Sequence, residues 1–186
     1  MTRDVAIGYL TVVDDERTGW TGGLLVLNRG GRPMEFQCTL PVRPGRTHQI
    51  LFGATLRHHL IAEVIAPALL KRCRTPLSGL ACDQPETLSV TESRDVPVAL
   101  VAEAAEAMEG PIGDDTPGER FAIAGATFIA PIEAADAWAE VAEGLIDLPD
   151  GVEPFERIRE AIAEAHSQLA RAHRPLPGDT ANREAA

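Results

Sequence analysis

"GGLLVLNRGGRPMEFQCTL", residues 22–40, decides how the fold is read. Its first seven residues form a compact apolar run without alternation, the pattern of a strand buried on both faces. "RGGRP" follows, and Gly30 and Gly31 supply positive φ at little steric cost, which signals a hairpin. Beyond it Met34, Phe36, Cys38 and Leu40 alternate with Glu35, Gln37 and Thr39, the period of a half-buried strand. "DVAIGYLTVV" (4–13), closed by the acidic turn "DDERTG", precedes them, so three strands read as a meander.

"PVRPGR" (41–46) then breaks the sheet, and Thr47 is the expected N-cap of a helix through "HQILFGATLRHHLIAEVIAPALLKRC". The pairs Leu60/Ile61, Val64/Ile65 and Ala68/Leu69 recur every four residues, and Pro67 is expected to kink or restart the helix. "PLSGLACD", "ETLSVTES" and "VPVALVAEA" read as three more strands, and "FAIAGATFIAP" as one further strand. "EGPIGDDTPGER" (109–120) has loop composition. Two helices close the chain, the second opened by Pro154 at a first-turn position. In it Phe155, Ile158, Ile162, Ala165, Leu169 and Ala172 follow a 3-4-3-4-3 spacing, a narrow coiled-coil-like seam. The expected fold class is α+β: a small, mostly antiparallel sheet packed on one long helix, plus a C-terminal helical pair. The expected division is a core domain over 1–131, a helical extension over 132–174 and a disordered tail over 175–186.

With 186 residues and 45% hydrophobic content, one core-bearing domain with an extension is expected, not a disordered chain. Five Phe, two Trp and one Tyr are too few for an extended ring platform on single-stranded nucleic acid. The first residues lack a signal peptide's charged and apolar regions, and no apolar run approaches the about 20 residues of a membrane span. A cytoplasmic location without membrane contact is expected. Three cysteines, none in C-x-x-C spacing, suggest neither a disulfide framework nor a zinc site.

The net charge of −11 hides an asymmetry. Between Arg29 and Arg74 eight basic residues meet two acidic ones, and the rest of the chain carries a net −17. Within the basic region Arg43, Arg46 and His48 gather at the expected start of the helix, where the dipole disfavours cations. An anion relieves that mismatch: the chain's own carboxylates, an acidic partner, or a phosphate. Arg43, Arg46, His48, Arg57 and His59 are therefore the candidate anion- or partner-binding residues. Phe155, Ile158, Ile162 and Leu169 are the candidate interaction seam, unless they lie against the Trp138/Val141/Leu145 helix of the same chain.

Other chemistry finds little support in the residues. No G-x-S-x-G elbow or phosphate-cradling glycine motif occurs, and the glycines of "GWTGG" read as turn glycines. Cys38 and His48 form a conceivable nucleophile pair, but Cys38 shares the apolar face of its strand and reads as core. His58 and His59 diverge by about 100° on a helix, so they do not share one ion. His59 and Glu63 are i, i+4 neighbours without a third ligand in register, and neither Asp14–Glu16 nor Asp114–Asp115 matches an EF-hand. No catalytic residue, metal site or cofactor is assigned.

The order hairpin, helix and three later strands, carried by "GGLLVLNRGGRPMEF", "THQILFGATLRHHLIAEVI" and the runs through "VPVALVAEA", resembles Roadblock/LC7-like modules of the profilin-like class. That resemblance covers residues 22–104. It departs in opening with a strand, and the segment after Glu109 has no counterpart. It implies a non-catalytic, dimerising scaffold or regulator whose partner is a protein or a second copy of the chain. The alternatives are a small anion- or phosphate-binding protein or enzyme using Arg43, Arg46 and His48, and a nucleic-acid adaptor using the basic region. Nucleic acid is disfavoured as a partner because the acidic remainder repels phosphates at long range.

Overall fold

The computed structural model describes residues 5–93, 96–103 and 117–172. The expected tail over 175–186 and the acidic pair Asp114–Asp115 lie outside the described residues. Seven strands form one mixed sheet in the order β3-β2-β1-β4-β5-β7-β6. They are β1 (Ala6–Asp15), β2 (Gly19–Asn28), β3 (Pro33–Cys38), β4 (Gly79–Cys82), β5 (Val98–Glu103), β6 (Glu119–Ile123) and β7 (Ala126–Ala130). The meander β1–β2–β3 is antiparallel as expected, but β4 joins β1, and β5 joins β4, in parallel. The protein is α+β, and its sheet is mixed instead of mostly antiparallel.

Local chemistry makes the two first hairpins. Asp15 Oδ1 accepts hydrogen bonds from the Arg17 and Thr18 amides and the Thr18 hydroxyl, and Gly19 takes the positive φ that follows. Asn28 Oδ1 accepts from the Gly30 and Arg32 amides, and Gly31 holds a φ of 75°. On β3 the expected burial is reversed at its centre: the strand lies at the sheet edge, Met34 and Phe36 are exposed, and Glu35 and Gln37 are half-buried.

The helical stretch after β3 is a run of turns of differing pitch. Helix α1 (Arg46–Phe52) starts from Gly45, so Thr47 lies inside the helix and does not cap it. A 3-10 turn (Gly53–Thr55), an α turn (Leu56–His58) and a π-helix (His59–Ile65) lead into α2 (Ala66–Arg72), with Pro67 in its first turn. Gly53, at a φ of 49°, releases α1 from the rest, and none of the residues of α1 is buried. Two other expectations are corrected. "ETLSVTES" belongs to a 3-10 stretch (Pro85–Ser93), with Val90 in the core. "FAIAGATFIAP" is two antiparallel strands turning at Ala124 and Gly125, both at positive φ as a tight primed turn requires. The three-strand sequel on which the Roadblock/LC7 resemblance rested is therefore not formed.

After β7, among the described residues, come a 3-10 turn (Ile132–Ala134), α3 (Ala135–Gly144) and α4 (Glu153–Ala172). Asp150 Oδ1 accepts from the Val152 and Glu153 amides at the start of α4, and these bonds hold its carboxyl below the usual range. Two layers cover the sheet. On one face Ile7, Tyr9, Leu25 and Phe128 meet Trp138 and Val141 of α3 and Phe155, Ile158 and Ile162 of α4. On the other Leu10, Leu24, Val26 and Leu80 meet Ile61, Ile65 and Leu69 of the helical run. Because both faces are covered, β1 and β2 read as continuous apolar runs.

Gly22 and Gly23 set how closely these layers approach. They are interior strand residues, not turn glycines. A Cβ on Gly22 falls 2.2 Å from Ile65 Cγ2, and one on Gly23 falls 2.3 Å from Ile158 Cγ2. Each missing side chain lets one layer sink against β2.

Candidate functional site

The parallel pairing of β1 with β4 ends at Leu10 and Cys82, and the polar chemistry of the molecule begins there. Side chains take over where the ladder stops. The Gln84 amide accepts from the Val12 N–H at 2.9 Å and donates to the Val12 carbonyl at 2.8 Å, which extends the pairing by one step. Asp83, between strand end and amide clamp, points toward α4. Its Oδ2 accepts from the Thr11 hydroxyl at 2.9 Å and from the Arg159 guanidinium. Glu86, at the start of the 3-10 stretch, is met from the opposite layer, where Arg57 Nε donates to its Oε1 at 2.6 Å. Arg57 also lies over the Trp20 ring, 5.7 Å from the centroid.

Two carboxylates thus sit just beyond the carboxyl end of β4, each held by one arginine, one from each layer. Their side chains are only 15% and 17% exposed, while the arginines are 48% and 47% exposed. Asp83 Oδ1 and Glu86 Oε2 are buried and have no hydrogen-bond partner among the described residues. Burial pushes the Asp83 carboxyl above the usual range, against the opposing pull of the Thr11 hydroxyl and Arg159. Carboxyl ends of parallel strands beside a point where the chain turns to the other side of the sheet are where open sheets seat ligands. Among the described residues no group of three His, Cys, Asp or Glu is placed to hold a metal ion.

The residues singled out by sequence fall elsewhere or at the rim. Arg43 donates through Nε to the Thr18 carbonyl at 3.0 Å and also to the Arg17 carbonyl, bracing the β1–β2 turn. Arg46 opens α1. His48, Phe52 and His59 form a stack, with centroids 6.2 and 4.2 Å apart, and His59 Nδ1 lies 2.8 Å from Glu63 Oε2. Arg57 alone of the five reaches the strand-end carboxylates. Phe155, Ile158 and Ile162 are spent in the core against β1 and β2, with Tyr9 edge-on to Phe155 at 5.1 Å. Leu169 lies partly exposed, in a groove of about 390 Å³ shared with Arg43 and His166. His166 Nε2 is 3.0 Å from the Thr21 hydroxyl, so the helix stripe turns polar beyond Ile162.

Glu35 is a second acidic focus. Its carboxylate accepts from the Thr75 hydroxyl and the Arg74 and Thr75 amides, at 2.8 to 3.1 Å. Desolvation acts to raise its pKa, but these bonds together outweigh it and lower it to about 2. It ties the edge strand to the end of α2 and lines a groove of about 680 Å³ with Met34, Phe36, Arg72 and Arg74.

Asp83, Glu86, Thr11 and Arg159 were not singled out by sequence. The available signal was "LACDQPET", a buried run ending abruptly in acidic and amide residues.

No protein-family model and no curated protein matches the sequence. Solved structures of endonuclease V do match. That of Ciona intestinalis, in complex with DNA containing an inosine followed by a ribo-adenosine, has a TM-score of 0.49 at 11% identity, over 91% of this chain and 88% of that one. Human endonuclease V has a TM-score of 0.39 at 13% identity, over 88% and 86% of the two chains. These neighbours are endonucleases, not Roadblock/LC7 modules, which corrects the resemblance taken from the sequence. Some of these neighbours were solved with DNA, and the expected non-enzymatic scaffold, the protein-interaction reading and the expectation that nucleic acid is disfavoured as a partner find no counterpart among them.

Proposed function

We propose that this protein is an enzyme acting on a nucleic acid that lies across the carboxyl end of β4, beside Thr11 of β1. The observation that carries the proposal is the pair of arginine-held carboxylates, Asp83 and Glu86, each keeping a buried oxygen without a partner. A guanidinium that holds a carboxylate is shaped to hold a phosphate in the same fork. When it does so, the carboxylate it leaves is free beside the phosphodiester. Asp83, its carboxyl raised by burial, is suited to general acid–base work there. Arg57 and Trp20 offer a phosphate contact and an aromatic face at one point.

Charge sets the direction of approach. The helical run and the loop before it carry Arg43, Arg46, Arg57, Lys71 and Arg72 against Glu63, whereas α4 carries Glu153, Glu156, Glu160 and Glu164 against Arg157, Arg159 and Arg171. A polyanion therefore approaches over the helical run and meets α4 at Arg159, beside Asp83.

The test is binding by fluorescence anisotropy to labelled single-stranded and duplex DNA and RNA, with inosine-containing DNA as the first probe. Affinity is expected to fall steeply between about 50 and 200 mM salt and to weaken in Arg57→Ala. Cleavage, where seen, is expected to be lost in Asp83→Asn. Absence of binding to every probe at low salt overturns the proposal.

A further inference from the structure

The two arginine–carboxylate pairs differ in how their members are held. Asp83 is fixed: its side chain is largely buried, the Thr11 hydroxyl holds Oδ2, and the neighbouring Gln84 amide is clamped to both polar groups of Val12. Arg57 is held twice, by Glu86 and by the Trp20 ring. Arg159 is half exposed and meets only Asp83 among the described residues. Of the four members it is the one free to leave. From the geometry we infer that Arg159 is a transferable counter-ion: it neutralises Asp83 in the free protein and passes to a phosphate oxygen when nucleic acid seats, so that seating takes up a proton at Asp83. This inference rests on the proposed nucleic-acid function.

The groups facing Asp83 leave it without a cation once Arg159 departs. From β1 there is the neutral Thr11 hydroxyl, and from β4 the Cys82 thiol, which burial keeps protonated. Glu86 of the 3-10 stretch is acidic and has its own partner in Arg57. On α4, Glu156 lies one turn before Arg159 and Glu160 follows it directly, both acidic residues, while Arg157 is already paired with Glu153. Losing the cation that touches it, beside an arriving phosphate, Asp83 gains affinity for a proton. The proton comes from solvent and no covalent bond changes in the protein's heavy-atom framework. The sign follows: uptake occurs where the pH lies between the free and the bound pKa of Asp83. Affinity then rises as pH falls through that window, by as much as about tenfold per pH unit for one proton.

Two measurements test this. In the free protein, the Asp83 carboxyl is titrated by 13C NMR in wild type and in Arg159→Gln, an exposed substitution that leaves the core intact. A higher midpoint in the variant is expected, and an unchanged midpoint overturns the inference. For the complex, calorimetric titration of a short DNA is run in two buffers of different ionisation heat. Proton uptake is expected in wild type and is expected to be lost in Arg159→Gln and in Asp83→Asn. DNA that binds with buffer-independent heat overturns this inference alone. DNA that does not bind at low salt overturns the proposed function, and this inference with it.

Discussion

Replacing Gly23 by alanine adds one methyl group at the closest approach of α4 to the sheet. The new Cβ lies 2.3 Å from Ile158 Cγ2 and 3.2 Å from Ile162 Cδ1. Carbon atoms rest at about 3.5–4.0 Å, so α4 or β2 must yield by about 1 Å. Neither has room: Ile158 is fully buried, and the opposite face of β2 is filled by Leu24 and Val26 under the helical run. Overpacking of this kind costs about 1–3 kcal/mol. Without the clash the same change is mildly stabilising, by about 0.4–1 kcal/mol, because Gly23 has no positive φ to lose. The sign of the effect therefore reports the packing. Gly30→Ala is the control, since its Cβ meets nothing closer than Asn28 Oδ1 at 3.7 Å, and a change within about 0.5 kcal/mol is expected. Urea unfolding reads the shift in midpoint at constant slope, and each kcal/mol lowers Tm by about 2–4 °C in a chain of this size. Ile158→Ala alone leaves a cavity and costs about 2–5 kcal/mol. Combined with Gly23→Ala, the total is expected to fall short of the sum by about 1–3 kcal/mol, because the new methyl occupies the vacated space. A Gly23→Ala protein as stable as wild type, or a strictly additive double variant, refutes the close approach of α4.

The remaining expectations concern charge and reactivity. The Glu35 pKa is lowered in the folded state, from 4.5 to about 2, so its contribution is present above pH 4.5 and is lost as pH falls toward 2. The difference in urea midpoint between wild type and Glu35→Gln should shrink over that window, and a difference that grows on acidification contradicts the bonds to Arg74 and Thr75. Burial pushes all three cysteine thiols up, Cys82 furthest. A thiol reagent at neutral pH should therefore modify Cys38 and Cys73 slowly and Cys82 only on unfolding; fast labelling of Cys82 in the native state is the contrary result. Arg57→Ala uncovers the Trp20 ring and strands Glu86, so quenching of tryptophan emission by acrylamide should rise and stability should fall by about 1 kcal/mol. Unchanged quenching argues against the stacked arginine.

Much of the fold is written locally. The turn at Asn28–Gly31, the start of α4 at Asp150–Pro154 and the apolar runs of β1, β2 and β4 depend on residues within a few positions of one another, so sequence alone determines them. Period-2 alternation misjudged β3, giving Met34 and Phe36 a buried face where they are exposed, because position within the sheet is not a local property. Pairing, by contrast, was decided in three dimensions. β4 and β5 join in parallel because the two layers need them there, and "ETLSVTES" surrenders its β-prone residues to a 3-10 turn that seats Val90 in the core. Gly22 and Gly23 look like turn residues until helices are laid on both faces of β2. The candidate site is less legible still. Thr11 lies 72 residues from Asp83, and Arg159 lies 76 residues away. No spacing rule joins them, since their meeting depends on the register of two parallel strands and on which face α4 covers. Sequence determined which segments are strand, turn or helix over most of the chain. The tertiary structure alone decided which charges face one another, because ion pairing across layers is fixed by packing and not by distance along the chain.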